Sequence, residues 1–405
     1  MAERIDPWGS GDIGDYRKLI DAFGIEPMDK YRNRFQDNHY IRRGIIFGHR
    51  DFGKIADAIT HKEPYAMMTG LMPSGKFHFG HKMVADEIIW FQQHNAKIFV
   101  CAADVESYLM RDISFEEAKN IAVTEYLENY LALGLKPKDV TFWFQSNYRN
   151  EYYKLRDMVS KRVTFNELQA IYGELTPGKI ISVLMQAADI LHPQLPELGG
   201  PKPVVVPVGV DQDPHLRLTR DIASRLSQIT ITSSDGKIVY DPNSVKFDQS
   251  KVKIFGKTMS DGTLIKKQEL NLILPSATYH KFMHGLQGGK MSSSNPASYI
   301  ALTDGPEEAR RKVLSAKTGG RATAEEQKRL GGVPDSCSVY ELYLYHLVLD
   351  DRQLEGIHGE CTSGGISCGD CKRRCADLLV KFLDEHQKKR IAARSQAEKI
   401  LRERS

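Results

Sequence analysis

Four short apolar runs, spaced so that amphipathic stretches fall between them, constrain the fold of this chain more than any other feature. They are Tyr65 to Thr69, KIFVCAADV at 97–105, Val140 to Gln145 and PVVVPVGV at 203–210. Runs of this length suit strands, and 97–105 reads as a buried parallel one. Between the first two, a Pro/Gly/Ser turn leads into an amphipathic stretch from His81 to Gln93. After the second, Ser114 and Glu117 have capping-box spacing, and helical periodicity continues to Gly134, a residue suited to the C′ position. Strands alternating with helices imply βαβ units with right-handed crossovers, so the predicted class is α/β with a doubly wound parallel sheet. The prolines of 203–210 restrict that run to a strand end or an edge.

The rest of the chain divides around this layer. Residues 1–62 alternate polar and aromatic positions, include a basic strand-like stretch, IRRGIIFGHRD at 41–51, and are expected to be an N-terminal extension. Residues 63–305 form the predicted α/β domain. It is interrupted at 228–272 by turn sequences such as SSDGK and MSDGT between short β-rich pieces, which predicts an inserted β excursion. From 306 to 405, Ala, Glu, Arg, Lys and Leu dominate with helical periodicity, predicting a helical domain. A length of 405 residues fits two or three domains. With 56 basic against 52 acidic side chains, the net charge of +4 is too weak for a whole-molecule polyanion trap. Nucleic-acid binding would then rest on local patches, for which Arg42, Arg43, the Lys372 to Arg374 run and the final helix are candidates. No run of about 18 uncharged apolar residues occurs, and the amino end has no apolar signal core, so a cytoplasmic protein without a membrane partner is expected.

Two motifs carry phosphate chemistry. TGLMPSGKFHFGH, Thr69 to His81, places His78, Gly80 and His81 at the start of a helix. A helix amino terminus offers free N–H groups and partial positive charge to phosphate oxygens, two imidazoles add hydrogen bonds, and Gly80 lets a flat base approach the backbone. GGKMSSS, Gly288 to Ser294, joins glycines to a lysine and three hydroxyls. There Lys290 would neutralise a leaving pyrophosphate while Ser292 and Ser293 bind its oxygens.

The pair resembles the two signatures of class I aminoacyl-tRNA synthetases, HFGH and KMSSS here. Within that class the chain is similar to the tryptophanyl-tRNA synthetase family of the archaeal and eukaryotic branch. Further matching stretches are DPW at 6–8, RRGIIFGHRD at 42–51, TGLMPSG at 69–75, VTFNELQAIYG at 163–173, GVDQDPHLRLTRD at 209–221, GGR at 319–321 and LDDRQLEGI at 349–357. The resemblance implies a Rossmann-like catalytic domain, a helical anticodon-binding domain at 306–405, and a homodimer. It also implies a two-step tryptophan–tRNA ligase that uses ATP with Mg²⁺, L-tryptophan and tRNA(Trp). It implies catalytic roles for His78, His81 and Lys290, and an ATP site of Gly70, His78, Gly80, His81, Gly209, Asp211, Lys290, Met291, Ser292 and Ser293. Glu106 and Gln186 would hold the substrate ammonium and Gln212 its carboxylate.

Eukaryotic tryptophan enzymes bind the indole N–H through a tyrosine and a glutamine, at positions that here are Met68 and Cys101. The segment LMQAADIL, 184–191, looks like the bacterial stretch whose aspartate accepts that N–H, which assigns the role to Asp189. Tyrosine enzymes carry a tyrosine at the position of Met68 to share the phenol hydroxyl, so an apolar Met68 favours indole over phenol. A tyrosyl-tRNA synthetase is the rival inside the class. A small-molecule nucleotidyltransferase and a silent tRNA-binding paralogue are the rivals outside it.

Five of the six cysteines fall within 39 residues, and Cys337, Cys361, Cys368 and Cys371 read C-x23-C-x6-C-x2-C with Cys375 just beyond. Clustered thiols in a reducing compartment suggest a metal before a disulfide. Four thiolates suit an iron–sulfur cluster or zinc. Some tryptophanyl-tRNA synthetases have a similar spacing around a [4Fe–4S] cluster, which the resemblance therefore implies here, with zinc as second choice.

Overall fold

The computed structural model describes residues 16, 20, 23–233, 236–240, 265–267, 269–289, 291 and 295–402. Its frame is a seven-stranded sheet. The strands in chain order are β1 (Glu26–Pro27), β2 (Ile46–Arg50), β3 (Ala66–Leu71), β4 (Lys97–Ala102), β5 (Val140–Phe144), β6 (Val204–Gly209) and β10 (Ser276–His280), and their order in the sheet is β1-β2-β10-β6-β3-β4-β5. The run β10-β6-β3-β4-β5 is parallel, as βαβ crossovers require. In β4, Ile98, Val100 and Ala102 enter one core with Met83 and Ile88, while Phe99 and Cys101 enter the other with Met68 and Trp143. Alternate residues thus meet helices on opposite faces, which is why the run is apolar throughout.

Two expectations change. Residues 1–62 are not simply appended: Ile46–Arg50 pairs antiparallel with β10, Thr278 opposite His49, and thereby extends the sheet. Ile46 and Phe47 are buried, so the β-branched and aromatic residues of 41–51 serve the core. The 203–210 run is not at an edge either; β6 lies between β10 and β3. It pairs with β3 only at Val204 and Val205, whereas its pairing with β10 runs on to Gly209. By Pro207 the strand is paired on one side only, a setting in which a residue without an N–H is tolerated.

Ser114 Oγ accepts from the Glu117 amide at 3.2 Å, and the helical stretch it starts ends at Gly134, whose φ of +119° needs glycine. Within the described part of 228–272, β7 (Ile229–Ser233), β8 (Gly236–Tyr240) and β9 (Ile265–Lys267) make a separate antiparallel sheet in the order β8-β7-β9. After residue 306 the described chain is helical, and its longest helix, Cys368–Arg402, packs against Pro306–Ser315 and Glu128–Leu133. Leu379, Leu383 and His386, and further on Ala393, Ala397 and Ile400, recur at three- and four-residue spacing and are buried, which fixes the face it presents. His386 Nε2 meets Asn129 Oδ1 at 2.7 Å and Arg390 meets Glu128 at 3.2 Å, so this helix is joined to the α/β layer by polar contacts as well.

Arg42 and Arg43, expected to face RNA, are turned inward. Both pair with Asp351, at 2.6 and 2.8 Å, and Arg43 also donates to the carbonyls of Leu344, Val348 and Leu349. The Lys372 to Arg374 run stays at the surface: Lys372 donates to Leu314 O, Arg373 pairs with Asp370 and Arg374 with Glu360, all in exposed contacts. Among the described residues, no helix is long and apolar enough to cross a membrane.

Candidate active site

Beyond Val205, β3 and β6 part, and the gap is the point where the winding of the sheet reverses: β4 and β5 follow on one side of β3, β6 and β10 on the other. Ligands of open α/β sheets bind in such a crevice, outside the carboxyl ends of the strands. A cavity of about 430 Å³ lies there. Of the residues singled out from the sequence, it is lined by Met68, Gly70, His81, Glu106, Gln186, Asp189, Gly209 and Gln212. Thr69, Ser74, Arg111, Tyr126 and Tyr130 line it too and were not anticipated.

His78 is the N-cap of the helix Phe79–Gln93. Its Nδ1 accepts the Gly80 N–H at 3.1 Å, and the His81 Nδ1 accepts the His78 N–H at 3.3 Å. With both Nδ1 atoms acting as acceptors, each neutral ring carries its proton on Nε2. The rings stack 3.8 Å apart. Burial lowers the pKa of His78 to about 4, and burial together with the neighbouring His78 pushes His81 down as well. Both are therefore neutral hydrogen-bond donors at physiological pH and add no cationic charge. A Cβ on Gly80 would stand 2.9 Å from the His78 ring, so the capped pair itself demands glycine there. His78 lies behind His81 and does not line the cavity.

At the other end, Asp189 is 3% exposed in the last turn of the helix Pro177–Leu191. Its carboxylate accepts from Tyr152 Oη at 2.6 Å, Gln145 Nε2 at 2.7 Å and Cys101 Sγ at 3.4 Å. A carboxylate has about four acceptor positions, so these three donors leave one. Burial raises its pKa to about 7, against the lowering effect of the donors. Cys101 is thus a donor to the acid as well as a buried filler. Gln145 and Tyr152 escaped the sequence reading; the one available signal was that Gln145 directly follows β5, where functional groups of such sheets collect. Gln186 Nε2 reaches both Glu106 oxygens, at 3.2 and 3.3 Å, which brings together the two residues assigned to the ammonium.

Asp211 is not part of the cavity lining, but its Oδ1 would stand 2.7 Å from a Cβ on Gly209. Met291 packs against the main core, and its sulfur would stand 3.4 Å from a Cβ on Gly80, so this residue of the second motif lies beside the histidine pair. Lys290, Ser292 and Ser293, and DPW at 6–8, lie outside the described residues.

A second, small cavity is lined by Cys337, Cys361, Cys368 and Cys371, with Gly319 and Gly320. The backbone approaches closely: a Cβ on Gly320 would meet Cys368 Sγ at 2.5 Å, and one on Gly332 would meet Cys361 Sγ at 2.7 Å. Cys375 is fully buried and outside that lining. Among the described residues, no three His, Cys, Asp or Glu side chains stand together as ligands of a single metal ion.

The sequence profile of the tRNA synthetases class I (W and Y) matches residues 60–384. The chain is 47% identical to the tryptophan–tRNA ligase of Aeropyrum pernix over 405 residues, covering 99% of this chain and 98% of that one. It is 43% identical to that of Methanocaldococcus jannaschii over 406 residues, with 98% of each covered. The crystal structure of the tryptophanyl-tRNA synthetase from Aeropyrum pernix matches with a TM-score of 0.82 over 98% of both chains. Identity of this order along the whole chain, carried by one and the same fold, means that the chain belongs to the class I tRNA synthetases of the tryptophan and tyrosine group.

Proposed function

We infer that the chain, a tryptophan–tRNA ligase by its family and its full-length relatives, carries out both steps of that reaction in the 430 Å³ cavity. The observation that carries the choice of tryptophan is the setting of Asp189. One acceptor position is left on a buried carboxylate, and Met68 at 2% exposure supplies an apolar wall. An indole N–H needs one acceptor and nothing more. A phenol hydroxyl is also a hydrogen-bond acceptor, and an apolar wall leaves that capacity unmet, at a cost of about 1 to 3 kcal/mol.

In this reading Glu106 and Gln186 take the ammonium and Gln212 the carboxylate of the amino acid. That carboxylate, already ionised, attacks the α-phosphorus of ATP in line, the bond from the α-phosphorus to the α,β-bridging oxygen breaks, and pyrophosphate leaves. Catalysis is positioning and charge stabilisation. His81, with His78 stacked behind it, donates from Nε2 to the nucleotide phosphates; Gly70 and Gly80 allow close approach, and Gly209 and Asp211 hold the ribose. Lys290, Met291, Ser292 and Ser293 bind the departing pyrophosphate, and Mg²⁺ carried by the nucleotide offsets its charge. In the second step the terminal ribose hydroxyl of tRNA(Trp) attacks the activated carbonyl and AMP leaves.

The same reading assigns residues 63–305 to activation with 228–272 as its insertion, residues 306–405 to the anticodon, and a homodimer to the assembly, in the cytoplasm. It assigns a [4Fe–4S] cluster to Cys337, Cys361, Cys368 and Cys371. Four thiols surround one cavity without closing on a point. Four thiolates suit either group, so the iron–sulfur cluster rests on the cysteine spacing shared with some members of the family, with zinc as second choice. Bound there, the cluster would brace the loop between Thr362 and Cys368. ATP–pyrophosphate exchange with tryptophan and tyrosine in parallel tests the central assignment. Tryptophan-dependent exchange is expected to dominate, and tyrosine-dependent exchange exceeding it would overturn the assignment of Asp189.

A further inference from the structure

One titratable side chain in the cavity has no part in the reaction as written above. His280 is the last residue of β10 and lies opposite Gly209 on β6. It is 5% exposed, and its ring lines the cavity. Its Nδ1 stands 3.3 Å from Oε1 of Glu87, a carboxylate with no solvent exposure on the same helix that carries His81. The second Glu87 oxygen accepts from Thr278 Oγ1 at 3.3 Å. Neither His280 Nδ1 nor Glu87 Oε1 has a hydrogen-bond partner among the described residues, so the 3.3 Å approach is an electrostatic contact and not an aligned hydrogen bond.

A fully desolvated carboxylate is costly unless something nearby offsets its charge, and the imidazole is the group placed to do so. A carboxylate beside Nδ1 in turn favours the tautomer protonated there and leaves Nε2 on the side of the ring away from Glu87. The direction matters. Asp189 and its donors stand on the β4–β5 side of β3, whereas His280 is on β10, beyond β6, on the opposite side of the switch point. His280 therefore sits between Gly209 and the His81 helix, at the end of the cavity away from the amino-acid side chain.

We propose that His280 is a nucleotide-contacting residue of the activation step, presenting Nε2 to the ribose–phosphate part of ATP, and that Glu87 is the positioning residue that aims the ring. The proposal rests on the reading that His81 and Gly209 flank the nucleotide. Its chemistry is binding and orientation, with no proton transferred.

Pyrophosphate exchange by the full-length chain tests it. His280→Asn removes the donor at the Nε2 position and is expected to raise the KM for ATP about tenfold while the KM for tryptophan stays within about twofold. His280→Gln, whose amide reaches the Nε2 position, is expected to restore most of the loss. Glu87→Gln preserves shape and removes the charge; it should raise the KM for ATP in the same way, and the double variant with His280→Asn should be no worse than His280→Asn alone. Equal rises in both KM values, additive losses in the double variant, or failure of His280→Gln to restore ATP binding would each overturn the proposal. His81→Asn is the reference. If it raises the KM for ATP and His280→Asn does not, this inference fails alone; if neither does, the nucleotide assignment fails with it.

Discussion

With its pKa raised to about 7 by burial, Asp189 stands near half-ionisation at neutral pH, and only its ionised form is a pure acceptor for an indole N–H. Tryptophan binding should therefore strengthen as pH rises through 7. Over pH 6 to 8, kcat/KM for tryptophan in pyrophosphate exchange is expected to climb roughly tenfold, with the KM for ATP as the unchanging control. Stability runs the other way. Because the folded-state pKa is above the ordinary 3.8, the contribution of this group to folding is full below that value and is lost as pH rises through about 7. Tryptophan should accordingly raise the melting temperature more at pH 8 than at pH 6, a difference that thermal-shift measurements resolve. Asp189→Asn is expected to cost about 10- to 100-fold in kcat/KM for tryptophan and to flatten the pH dependence. Equal pH slopes for variant and parent would remove Asp189 from the pocket chemistry.

Among the elements, the contact between residues 42–43 and 344–351 does most to tie the helical part of the chain to the sheet's antiparallel edge. The Arg43 side chain is 6% exposed and serves Asp351 and three carbonyls at once. Removing it strands buried acceptors, so Arg43→Ala should lower stability by about 2 kcal/mol, read as a shift of the urea midpoint. Asp351→Ala should cost less, because that carboxylate is 39% exposed and water replaces part of what is lost. A loss of tRNA affinity in Arg43→Ala at full stability would instead reinstate the RNA-facing role. The sequence pointed wrongly here for a physical reason: two adjacent arginines look solvated until a carboxylate some 300 positions away folds against them. The apolar runs, by contrast, needed no distant partner to be read. Their length and lack of polar alternation already required burial on both faces, and β3, β4 and β5 start within one residue of the stretches that predicted them, although the 97–105 run overshoots β4 into the helix that begins at Asp104; β6 was placed in sequence but not in the sheet.

On the scale of the whole molecule, the thiol-lined cavity and the crevice are two places, among the described residues, where the backbone leaves room for a ligand. Cys368→Ser should abolish iron binding, assayed by iron content and visible absorbance after anaerobic purification, and weaken tRNA charging several-fold while leaving pyrophosphate exchange intact. Unchanged charging after verified loss of iron would sink the link between this cavity and tRNA. That the four thiols gather around one cavity was legible from cysteine spacing alone. What spacing could not show is that Cys375 turns into the core, since a helix that begins at Cys368 carries that residue on its buried face.

The sequence by itself determined the α/β class, the two phosphate motifs, the β insertion and the helical end, because each depends on local pattern: strand length, capping residues, turn chemistry and helical period. Only the tertiary structure decided that residues 46–50 complete the sheet, that the proline-bearing strand is central, that Gln145, Tyr152 and Cys101 converge on Asp189, and that Glu87 meets His280. Those facts rest on which strands become neighbours and on which side chains are desolvated together. Pairing and desolvation are non-local, and no window of adjacent residues carries them.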